Sequence, residues 1–97
     1  MSTYIPKKVK IGGHMVKVLY PYQFNDMFTG SGTCNYEEGI IKIKEAGITD
    51  EQTLWHEILH MVDIVYNGEK LDEDSISRLS EGIYQVIKDN FIIKPRG

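Results

Sequence analysis

Most of the chemistry this 97-residue chain could perform lies in one run, His56-Glu57-Ile58-Leu59-His60. Two histidines four residues apart on a helix leave it on the same side, about one turn from each other, so both imidazoles can reach one ion. The glutamate beside the first histidine then stands next to an open coordination position, where it can accept a proton from an attacking water. This is the HExxH pattern. It predicts His56 and His60 as metal ligands, Zn2+ as the metal, Glu57 as general base and amide hydrolysis as the reaction. The alternative is a pair of ordinary helix histidines. The surrounding pattern speaks against it, because these polar rings sit on a largely apolar helix and need partners there.

A catalytic zinc takes three protein ligands and leaves the fourth place to water. If the two helices fold back about a turn near residue 69, the centre of the motif at residue 58 faces a level near residue 80. Glu81 is the acid at that level and is the expected third ligand. Asp63, three residues after His60 and on its side of the helix, is a candidate to orient an imidazole, against a plain solvated acid. Tyr36, Tyr84 and His14 are weaker candidates as oxyanion donors. Cys34 could approach the metal from a neighbouring hairpin, although a lone cysteine is more often simply buried.

Positioning these residues requires a scaffold, and the first half of the chain reads as strands. Lys8 to Ile11 and His14 to Tyr20 alternate polar and apolar residues about Gly12-Gly13, a two-residue hairpin signal. Pro21 to Phe28 has no clear period. Gly30-Ser31-Gly32 opens a second hairpin with arms Thr33 to Tyr36 and Gly39 to Lys44. Thr49-Asp50-Glu51-Gln52 then has the form of a capping box. The helix that follows is apolar on two sides, with Leu54, Ile58, Met61 and Val65 as one stripe and Trp55, Leu59, Val62 and Tyr66 as another. Asn67-Gly68 stops it. A last helix runs from Asp72 to about Asn90 with Ile76, Leu79, Ile83, Val86 and Ile87 predicted inward. Strands followed by helices predict an α+β fold, with a sheet of about four strands packed on two antiparallel helices in one domain over residues 1–97.

Bulk properties narrow the class. A net charge of −3 and a pI near 5.5 argue against a nucleic-acid partner. The lysines that cluster in the first half alternate with Val and Ile, as on a solvated strand face. One cysteine excludes an internal disulfide framework. No run approaches a membrane span or a signal peptide, so the expectation is a cytoplasmic domain without a membrane partner.

The spacing of His60 to Glu81 and the run Ser80-Glu81-Gly82-Ile83 resemble the gluzincin arrangement of thermolysin-like peptidases, in which a glutamate on the following helix completes the metal site. Tyr66 stands where metzincins carry a third histidine, which argues against that subclass. Over nearly its whole length the chain also resembles small phage- and prophage-encoded HExxH proteins related to the ImmA/IrrE-type metallopeptidases. The matching residues are Lys10-Ile11-Gly12-Gly13-His14, Gly39 to Lys44, the HExxH run, and Leu79 to Asn90. That resemblance implies a zinc peptidase acting on a peptide or protein. It also implies an acid of variable position on the last helix, which keeps Glu73 and Asp74 open beside Glu81. An edge strand, taken as Gly39 to Lys44, would pair with the substrate backbone. The rival expectation is a zinc-binding phage interaction module without turnover.

Overall fold

The computed structural model describes residues 5–91. Four strands, β1 (Lys8–Ile11), β2 (His14–Leu19), β3 (Gly32–Asn35) and β4 (Ile40–Ile43), precede two helices, α1 (Asp50–Asn67) and α2 (Glu73–Asn90). The α+β expectation holds: a mixed sheet in the N-terminal half packs against the helical half. Gly12 and Gly13 both take positive φ, 60° and 79°, as a tight turn between β1 and β2 requires.

The sheet order is β1-β2-β4-β3. Its two hairpins are antiparallel, and they join through a parallel β2–β4 pairing in which Val18 sits beside Ile41. That pairing places β4 in the interior and β3 at an edge. The strand Gly39 to Lys44 therefore has no free edge for a substrate, and the expectation that it would receive one is corrected.

Alternation along the strands divides the sheet into two faces. Val16, Val18, Ile41 and Ile43 point inward and are buried with Ile11, Leu54 and Met61. Lys8, Lys10 and Lys17 point the other way into solvent, as their alternation predicts. α1 covers the apolar face with its Leu54–Ile58–Met61–Val65 stripe, and Val62 packs there too.

The start of α1 is built differently from the expected capping box. Thr49 makes no side-chain cap. The acceptor is instead Asp50, which is 1% exposed. Its carboxylate accepts from the Ala46 and Gly47 amides, at 2.9 and 3.1 Å, and from the Tyr20 hydroxyl at 2.7 Å. A buried carboxylate gathers donors because an unpaired one would cost several kcal/mol, and here those donors tie the end of β2 to the helix start.

Among the described residues α2 contacts α1 and no strand. Of its predicted inward stripe only Ile76 is buried; Leu79, Ile83 and Val86 are 48%, 40% and 48% exposed. Among the described residues nothing covers the amphipathic face of this helix's C-terminal half, which corrects the expected packing.

Hydrogen bonding to Asp50, followed by burial and the charges of Asp50 and Glu45, pushes the Tyr20 hydroxyl up to about 12. A raised pKa stabilises the fold fully below the ordinary tyrosine value near 10 and ceases to do so as pH rises from there through about 12. Chemical denaturation across alkaline pH is expected to show stability falling in that window for the wild type. Tyr20→Phe, less stable at neutral pH by about 1 kcal/mol, should show a flatter decline there.

Candidate metal centre

Helical geometry over 50–67 places His56 and His60 one turn apart, with ring centroids 4.9 Å from each other. Each presents its Nε2 to the same carboxylate. His56 Nε2 lies 2.7 Å from Glu73 Oε1, and His60 Nε2 lies 3.0 Å from Glu73 Oε2. One donor atom from each of His56, His60 and Glu73 falls within 4.8 Å of the other two. Two imidazole nitrogens and one carboxylate oxygen form a donor set suited to a tetrahedral divalent ion with one place left open. The Glu73 side chain is 67% exposed, so the site opens to solvent on that side.

Glu81 is not part of this group. The sequence count assumed a tight turn at residue 69, but the connection is folded back along α1. Gly68 (φ 66°) and Glu69 (φ 58°) are both left-handed, and both donate their amides to the Asp63 carbonyl. The Asp63 carboxylate, 3% exposed, accepts from Asn67 Nδ2 at 2.8 Å and from the Lys70 and Leu71 amides, each at 3.2 Å. The linker is thereby held against the last turns of α1. α2 begins level with His60 instead of beyond residue 67, and its first residue meets the histidines. Asp63 touches neither imidazole, so its expected orienting role is replaced by one in setting helix register. Asp72 then starts α2, its carboxylate accepting the Ser75 amide at 2.7 Å.

The three ligand candidates lie in a groove of about 590 Å3 that Glu57 also lines. One wall is α1, with Thr49, Gln52 and Thr53 beyond the histidines. The other is α2, with Ser77, Ser80 and Glu81, and Gly30-Ser31-Gly32 closes the side toward the sheet. Gly32 is dictated by space: a Cβ there would lie 2.9 Å from Thr53 Cγ2 and 3.5 Å from Glu57 Cγ. Tyr36, Tyr84 and His14 do not line the groove. Tyr36 and His14 pack on each other, and Tyr84 lies under Lys88.

Glu57 is 7% exposed. Burial raises its pKa, while the neighbouring His56 and His60 and a hydrogen bond with Cys34 act in the opposite direction. A carboxyl raised toward neutrality exchanges protons more readily near physiological pH. Cys34 therefore meets the acid and not the ligand group. Burial, with the adjacent Glu57 charge, pushes its thiol up to about 12, which keeps it a neutral donor. Nothing in the sequence pattern announces this contact; it follows from Cys34 sharing the inward face of β3 with Gly32, against α1.

Comparison with models of known families, with curated proteins and with solved structures gives no match.

Two outcomes follow from this geometry. Divalent-ion titration should show Glu73→Ala weakening binding far more than Glu81→Ala, and Asp63→Asn, remote from the ion, weakening it about tenfold or more by releasing the register of α2. Alkylation by iodoacetamide at pH 8 should leave Cys34 unmodified in the folded protein and label it once denaturant is added.

Proposed function

We propose that this chain is a zinc-dependent peptidase in which His56, His60 and Glu73 hold the metal and Glu57 is the general base. The convergence of both Nε2 atoms on one Glu73 carboxylate carries the reading, with Glu57 buried on the same groove. A nitrogen, nitrogen, oxygen donor set favours zinc over magnesium or calcium, which prefer oxygen donors alone. Such a set, with an open position, resembles the gluzincin arrangement and accords with the ImmA/IrrE-like resemblance, with Glu73 in the place first expected for Glu81.

When bound, zinc would supply Lewis-acid polarisation of the scissile carbonyl and of the attacking water. Glu57 takes the proton of that water and returns it to the leaving amine. The strand available to a substrate backbone is β3. It is an edge strand, and it leads out of Gly30–Gly32 on the groove wall.

The test is hydrolysis of a fluorogenic peptide library by zinc-loaded protein beside its Glu57→Gln variant. Wild-type turnover is expected, with Glu57→Gln keeping one zinc per chain and losing about 10^2-fold or more in kcat/KM. Zinc-loaded wild type that cleaves nothing, or a Glu57→Gln variant as active as wild type, would refute the proposal.

A further inference from the structure

The groove extends well past the candidate metal site, and its far end has a distinct chemistry. Beyond Ser77 on α2 the wall continues with Ser80 and Glu81, and across from them stand Thr49, Gln52 and Thr53. These are short or uncharged side chains with one exception. Glu81 is exposed, and among the described residues it has neither an ion pair nor a hydrogen bond. Among the described residues no lysine or arginine lines the groove.

We propose that Glu81 selects substrates carrying a basic side chain, lysine or arginine, near the bond to be cleaved. The proposal rests on the peptidase reading of the same groove and adds to it a preference in substrate. Eight residues of helix separate Glu81 from Glu73, about 12 Å along the axis. An extended peptide advances about 3.3 Å per residue, so a residue three to four places from the scissile bond comes level with Glu81. A long basic side chain fits a wall of serines and threonines, and its charge meets the one carboxylate there. At the other end the acids are already committed: Glu73 faces His56 and His60, and Glu57 is buried beside them. Glu81 is left as the unbalanced charge of the groove, and a cation on the substrate would balance it.

The decisive probes are short peptide hydroxamates, which anchor on zinc and so fix the register. Lysine is placed at each of three successive positions and compared with N-acetyl-lysine at the same position. Calorimetry on the zinc-loaded protein is expected to show, at one of these positions, lysine binding about threefold to tenfold tighter than its acetylated counterpart. The difference should shrink in 0.5 M salt and vanish in Glu81→Gln, whose zinc content serves as the control for folding. Equal affinity for the two side chains at every position would overturn the proposal, as would a lysine preference that survives Glu81→Gln. Failure of every hydroxamate to bind would overturn it together with the metal reading. A lysine preference lost in Glu81→Gln, in a protein that cleaves no peptide, would support the recognition role and remove only the catalytic one.

Discussion

A single buried carboxylate sets the relation between the two helices. Asp63 is the point where the connection after α1 is caught: its side chain collects the Lys70 and Leu71 amides and its carbonyl collects those of Gly68 and Glu69. Removing the side chain would leave the Lys70 and Leu71 amides without their partner in a part-buried setting, at about 1 kcal/mol each or more. Because the linker is held there, α2 starts beside the middle of α1. That offset brings Glu73 onto His56 and His60, and it also leaves the later apolar residues of α2 uncovered among the described residues. The metal-ligand geometry and the exposed stripe of Leu79, Ile83 and Val86 are two results of one constraint.

Three buried acids on α1 have separate tasks, set by what each can accept. Asp50 and Asp63 are surrounded by amides, hydroxyls or side-chain amides and serve as fixed acceptors that bind loops to the helix. Among the described residues Glu57 is favoured only by two imidazoles and the weak Cys34 thiol, and burial, with the Glu73 charge, outweighs them, so its carboxyl is raised. A carboxylate poorly supplied with donors is a poor structural acceptor and a good proton carrier. The contrast along one helix separates the acids that build the site from the one suited to work in it.

Much of this was readable from local pattern. The HExxH spacing requires only helical geometry, and the strand alternation and the Gly12-Gly13 turn depend on neighbours in sequence. What was not readable depends on distant contacts. The choice of Glu73 over Glu81 turns on a linker path decided by Asp63, an acid that by position alone looked like a solvated or histidine-orienting residue. Thr49 had the right spacing for a cap, but its backbone is helical and its hydroxyl makes no cap bond, while Asp50 gathers the Ala46 and Gly47 amides and the Tyr20 hydroxyl, a contact from the sheet that local sequence does not reveal. The stripe on α2 had the period of a buried face. Periodicity states which side of a helix is apolar and not whether anything lies against it.

The central claim is that His56, His60 and Glu73 together bind one metal ion. A crystal of the zinc-soaked protein, measured on both sides of the zinc absorption edge, tests it directly. The account predicts one anomalous peak about 2.0–2.2 Å from His56 Nε2, His60 Nε2 and a Glu73 carboxylate oxygen. A map with no peak between the two imidazoles, or with the ion held by Glu81 while Glu73 points away, would contradict it.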